Sequence, residues 1–274
     1  MVPPPAVWPF AAPPVPARRA DVVLAVFGRT PLDLAALEPA AVGIPAGVAL
    51  PEVRTVLRAT EPRWLDAWRT GSLRAIAERD LGPEGPDLAA LDAADRVHMI
   101  TASVTAPVDL GYLQAAWGLA RHALAQGATT VLDVHAMTYR ATAALAASDA
   151  PLDVAREVRR IYETSTTGPD LPHALHTRGL RKFGAPDLIA LCGDADVRLV
   201  GHALGALADR VARGVSLSLA RHPVDVAPGI IWYVLPDEHG LGELLQLGNT
   251  ARVLVDERGH DLVGVLGRLP RGSA

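Results

Sequence analysis

The sequence predicts an α+β protein, a mainly antiparallel sheet with helices packed on one face and elements of a ferredoxin-like sandwich. Short apolar runs of strand length recur along the chain, the first being Asp21-Val-Val-Leu-Ala-Val-Phe27. Between them lie stretches with apolar residues at helical spacing that stop at glycine. Their order is strand, helix, strand, helix, hairpin and helix, which is that of an α+β sandwich. With 50% hydrophobic and 20% charged residues the composition is globular, and no repeat of fixed period is visible.

Each element has a local reason. Thr30-Pro31-Leu-Asp33 supplies a cap residue, a proline at the first helical position and an acid in the first turn, which predicts a short helix over Leu32–Leu37. Residues 39–62 alternate prolines and glycines with valines and are expected to form short extended pieces. Trp64, Leu65, Trp68, Leu73 and Ile76 fall at near-helical spacing, divided at Gly71-Ser72, and Leu81-Gly-Pro-Glu-Gly-Pro86 reads as an internal linker. His98–Val104 is strand-like. Leu110, Leu113, Trp117, Ala120 and Leu124 then share one helical face that Gly127 stops. Thr129–Val134 returns as a strand, and Pro151 opens a predicted helix with Leu152, Ala155, Val158 and Tyr162 facing inward. Ala174–Leu180, a Phe183-Gly-Ala-Pro-Asp187 turn and the apolar Leu188–Cys192 make a hairpin. A stripe of Val197, Val200, Leu204, Leu207 and Val211 ends at Gly214. Ile230–Leu235, Arg252–Val255 and Leu262–Leu266 supply the closing strands.

The proline-rich segment 1–19 is expected to be a flexible tail whose tryptophan and phenylalanine could dock on the body or on a partner. Residues 20–274 are expected to form one α+β domain, within which 20–95 could be an N-terminal subdomain. A net charge of −4 argues against a nucleic-acid partner, because phosphate neutralisation needs clustered cations. The start lacks the pattern of a signal peptide and no long apolar run follows, so no membrane partner and a cytoplasmic location are expected. The single cysteine, Cys192, lies in an apolar run and reads as a buried thiol. The oligomeric state is not legible.

The 26 basic side chains include one lysine, Lys182, and the rest are arginine. The bias reflects a GC-rich genome, and the surviving ammonium is either a point charge with a specific task or a residue on a solvated turn. It lies in the most distinctive stretch of the chain, His176-Thr-Arg-Gly-Leu-Arg-Lys-Phe-Gly-Ala-Pro-Asp187. With the strand His98–Val104, the helix bearing Trp117 and the strand Val131–Val134, this stretch resembles the DUF4261 family, bacterial proteins with a domain of unknown function. The resemblance spans residues 97–214 and implies an α+β domain with no established activity.

Were Ala174–Lys182 one strand, its period of two would set His176, Arg178 and Lys182 on one face as a cationic stripe. Such a stripe suits a carboxylate or phosphate, or it discourages edge-to-edge strand pairing. Gly179 within the strand marks a bulge or a close backbone approach. Asp133 and His135, two apart at a strand end, are the remaining candidates. The spacing of His173 and His176 shows opposite faces and no metal motif accompanies them, so no metal and no cofactor are expected. Glycine-rich phosphate loops and a Gly-x-Ser-x-Gly elbow are absent from the sequence. Gly201 and Gly205 permit close helix packing.

The function expected is binding, of a protein partner or a small anionic ligand, with His176, Arg178, Lys182, Asp133 and His135 as the candidate ligand-binding residues. The alternative is a cofactor-free or metal-assisted hydrolase-like enzyme using Asp133, His135 and Lys182. A structural member of a larger assembly is a third class, whose sign would be an exposed apolar patch around Trp64, Trp68 or Trp232.

Overall fold

A computed structural model describes residues 5–10, 18–163, 173–193, 196–217, 220–227 and 230–255. The chain divides into two compact units, one built from residues 1–10 and 19–152, the other from 11–18 and 153–274. The α+β class with mainly antiparallel sheets is the observed architecture. The division does not fall near residue 95. Residues 96–105 pair along their whole length with 19–28, so the chain on either side of 95 shares one sheet.

The first unit holds β1 (Arg19–Gly28), β2 (Glu52–Leu57), α1 (Pro62–Ala67), α2 (Gly71–Leu81), α3 (Pro86–Ala93), β3 (Arg96–Thr105), α4 (Gly111–Ala125), β4 (Thr130–Asp133) and β5 (Thr138–Ala141). Its strands run antiparallel in the order β2-β3-β1-β4-β5. Ala25, Phe27, Val97, Leu132 and Tyr139 lie on one face and form a core with Leu65, Ala77, Leu88 and Leu91 of the first three helices. On the other face α4 runs along β1 and β3, and its Trp117 ring lies 4.6 Å from the Arg140 guanidinium carbon. Helices therefore cover both faces, not one. The near-continuous apolar run of β1 is what a strand buried on both sides requires. The stretch 81–86 joins α2 to α3 within this unit and separates no domains.

The helix expected over 32–37 is a turn. The Asp33 carboxylate accepts from the Ala35 amide (2.9 Å), while its own amide donates to Gln126 Oε1 (2.8 Å) at the end of α4. The short acidic side chain offers the backbone a local alternative to a helix. The following loop sits tightly on α4, where a Cβ on Gly118 would lie 2.3 Å from Ile44 Cγ1. Gly118→Ala is accordingly expected to cost about 1–3 kcal/mol by overpacking, measured by urea unfolding against wild type.

The second unit holds α5 (Val154–Glu157), β6 (Arg159–Glu163), β7 (His173–Arg178), β8 (Asp187–Cys192), α6 (Val197–Ala212), β9 (His222–Ala227), β10 (Ile230–Pro236), α7 (Leu241–Leu244) and β11 (Ala251–Val255). The sheet order is β6-β7-β8-β11-β10-β9, with β11 parallel to β8 and the other pairs antiparallel. The helix predicted after Pro151 is one turn, capped by the Asp153 carboxylate accepting from the Ala155 amide (3.0 Å), and Arg159–Glu163 then pair with β7 as a strand. The glycines of α6 receive a β6 side chain. Arg160 Nη1 donates to the Gly201 carbonyl (3.3 Å) and lies 2.8 Å from where a Gly205 Cβ would stand. The strand predicted at 262–266 lies outside the described residues.

Candidate functional site

The stretch 176–187 is not a strand and a turn but a strand and a helical corner. β7 stops at Arg178. Gly179 takes φ 111°, ψ −7°, a single 3-10 turn covers Leu180–Phe183, and Gly184 closes it at φ 65°. Both glycines occupy the left-handed region, where a Cβ is costly. The corner removes Lys182 from the face of His176 and Arg178, so the cationic stripe expected from the sequence does not form.

Lys182 is instead 0% exposed and donates from Nζ to Glu157 Oε2 at 2.6 Å, Glu157 being itself 5% exposed. His176 is 0% exposed, and its Nε2 lies 3.1 Å from Glu163 Oε1. That hydrogen bond holds the Glu163 carboxyl below its ordinary range against the opposing effect of burial. Arg178 Nη2 donates to the Leu245 carbonyl (2.9 Å), and Arg181 Nη1 to the Gly248 carbonyl (2.8 Å). Expected as a ligand surface, these side chains hold the chain together internally.

Asp187 is the centre of the corner. Its Oδ1 accepts from Thr177 Oγ1 (3.1 Å) and from the Leu180 amide (3.2 Å), and its Oδ2 accepts from Asn249 Nδ2 (2.8 Å). Asn249 donates also to the Ala185 carbonyl (3.0 Å), and the Leu188 amide donates to Thr177 Oγ1 (2.8 Å). Burial pushes the Asp187 carboxyl up to about 6, against the pull of the bonds it accepts. The Asp187 amide donates to the Thr250 carbonyl (2.9 Å), the step at which β11 aligns parallel to β8. The corner is thus a clamp on residues 245–250.

Asp133 and His135 belong to the first unit, and Lys182 to the second. Asp133 is 0% exposed, and its Oδ1 accepts from the Ala136 amide (3.1 Å) to close the turn after β4. It is diagonal to Arg140 on the α4 face of the sheet. His135 sits half-buried in that turn. The position gives Asp133 a structural task and no solvent access for acid/base work. Cys192 is buried, as expected. Among the described residues no group of His, Cys, Asp or Glu is arranged to hold a metal. Trp68 packs edge-on to Phe27, with centroids 6.1 Å apart, and Trp232 is buried.

A different site lies where the sequence predicts a flexible tail. Residues 5–10 are seated on the first unit. Gln114, on the first turn of α4 and 3% exposed, accepts from the Trp8 amide at Oε1 (2.7 Å) and donates from Nε2 to the Ala6 carbonyl (2.9 Å). The Leu110 amide, at the start of α4, donates to the Trp8 carbonyl (3.0 Å). The indole Nε1 donates to the Ala150 carbonyl (3.2 Å), and Pro9 bridges to Asp109. A helix start has unsatisfied amides, and here one of them reads a carbonyl from a segment far away in sequence. Gln114 stands outside the apolar stripe of Leu110, Leu113, Trp117, Ala120 and Leu124, and its spacing carries no sign of this role.

No family model, curated protein or solved structure matches the chain. Fold and site together define a two-unit α+β protein whose residues 5–10 are seated by main-chain hydrogen bonds beside the start of α4.

Proposed function

We propose that the protein works by binding, and that what it binds is an extended segment of a protein partner. The observation that carries this is Gln114 engaging both the Ala6 carbonyl and the Trp8 amide with one buried side chain. Main-chain hydrogen bonds of this kind give affinity for extended polypeptide, with side-chain contacts adding specificity. Val108, 70% exposed and adjacent in sequence to Asp109, adds apolar surface for a longer ligand. The small-anion reading loses its support with the burial of His176 and Lys182. The hydrolase reading is weakened by the burial of Asp133.

A cytoplasmic location belongs to the same proposal, supported by a sequence with one cysteine, which is buried. No helix among the described residues is long and apolar enough to cross a membrane. Membership of the bacterial DUF4261 family is also proposed, on residues 176–188 above all.

The test is calorimetric titration of the full-length Trp8→Ala chain, whose own segment is weakened, with a peptide of residues 3–10. Saturable one-to-one uptake is expected, and its loss in Trp8→Ala/Gln114→Ala, checked for folding by circular dichroism. A flat titration of a folded Trp8→Ala chain would overturn the reading.

A further inference from the structure

We infer that the groove beside the start of α4 selects segments in which a tryptophan is followed by proline, and that the chain's own residues 5–10 compete for it in cis. This rests on the binding reading above and names its ligand class and its regulation. Every hydrogen-bonding group of Trp8 is engaged: the amide by Gln114, the carbonyl by Leu110, and the indole N–H by the Ala150 carbonyl. An indole places a donor at a distance from the backbone where phenylalanine has none and tyrosine presents a hydroxyl at another angle. Ala6 and Pro9 are exposed, so their side chains are not what is read, while Val7 between Ala6 and Trp8 is half-buried. Proline at the next position has a backbone role. It restricts the preceding residue to extended conformations, which preorganises the tryptophan for the main-chain bonds at its two ends.

Competition in cis follows from the same contacts. The groups that hold residues 5–10, from Asp109, Leu110, Gln114 and Ala150, would hold an incoming Trp-Pro segment equally well. A tethered occupant acts at an effective concentration on the order of millimolar, so a free ligand must outcompete it. Partners are thus admitted only when their local concentration is high or when the chain's own segment is drawn away.

The experiment uses a fluorescently labelled peptide, Pro-Pro-Pro-Ala-Val-Trp-Pro-Phe, and measures anisotropy on the full-length wild type, Trp8→Ala and Trp8→Phe chains. Both variants should bind at least about ten-fold tighter than wild type, because their own segment competes less well. A peptide with phenylalanine in place of tryptophan should bind Trp8→Ala about ten-fold more weakly, the loss of one well-made hydrogen bond. Equal affinities for wild type and both variants would overturn the competition. Equal binding of tryptophan and phenylalanine peptides would overturn the ligand class. Failure of every peptide to bind any of the chains would remove the underlying binding reading as well.

Discussion

Lys182→Met is expected to destabilise the second unit by about 3–5 kcal/mol, the loss associated with stripping the partner from a buried charge. Lys182 and Glu157 are both buried and 2.6 Å apart, so removing the ammonium strips a buried carboxylate of this cation. The pair as a whole is a different quantity. Taking two charges out of water costs nearly what their attraction returns, and a well-packed apolar replacement is often neutral or stabilising. Glu157→Leu/Lys182→Met should therefore recover most of the loss, to within about 1 kcal/mol of wild type, while Glu157→Leu alone behaves like Lys182→Met. Urea unfolding of the four chains as a double-mutant cycle measures this. If Lys182→Met unfolds like wild type, the ammonium is not buried against Glu157.

Asp187→Ala carries the other large effect, about 3–5 kcal/mol, because it orphans the Thr177 hydroxyl, the Leu180 amide and an Asn249 amide hydrogen at once. The same residue sets a pH dependence with a definite sign. Its carboxyl stands at about 6 in the folded chain and at the ordinary 3.8 when unfolded. The folded state therefore holds the proton more tightly. The resulting stabilisation is fully present below pH 3.8 and is lost as pH rises through 6. With about 1.4 kcal/mol per pH step, the wild type should lose about 3 kcal/mol across this window relative to Asp187→Asn, whose side chain does not titrate. The comparison with Asp187→Asn matters because Glu163 works the other way. Its depressed carboxyl contributes stability above its unfolded value that is lost as pH falls. Denaturant unfolding of both chains from pH 4 to 7 checks the difference, and parallel curves would contradict it.

Much of the fold was legible because burial imposes a period on the sequence. β1, β3, β4, α4 and α6 stand within a residue or two of their expected places, each announced by an apolar run or stripe with a glycine or charged boundary. What was not legible depends on partners distant in the chain. β2 and β5 are short edge strands defined by their neighbours, and the proline- and glycine-rich stretch around β2 gives no clean alternation. The helix expected after Pro151 fails because Arg159–Glu163 satisfy their backbone against β7, a tertiary choice that overrides local spacing. The step from one compact unit to the other at residue 152 is likewise marked by no shift of composition.

The candidate residues divide in the same way. Gly179 flagged a backbone departure, and it is where the strand ends. That departure turns Lys182 inward to a glutamate twenty-five residues earlier, a partner that no local pattern names. His176 and Arg178 were expected to face a ligand and instead meet Glu163 and the Leu245 carbonyl. Conversely, the seat of residues 5–10 beside α4 depends on Gln114, more than a hundred residues away, and its sequence signal was a tryptophan and a phenylalanine among prolines.

The central claim, that the groove binds extended Trp-Pro segments, is tested most directly by following the indole N–H resonances of the full-length wild type while unlabelled peptide of residues 3–10 is added. The chain has five tryptophans, and Trp8 is assigned by its absence in Trp8→Phe. The account predicts that the Trp8 resonance moves from its bonded position towards that of a free indole as peptide saturates the groove, while those of the other tryptophans stay in place. A Trp8 resonance unmoved by millimolar peptide, or shifts spread equally over every indole, would contradict it.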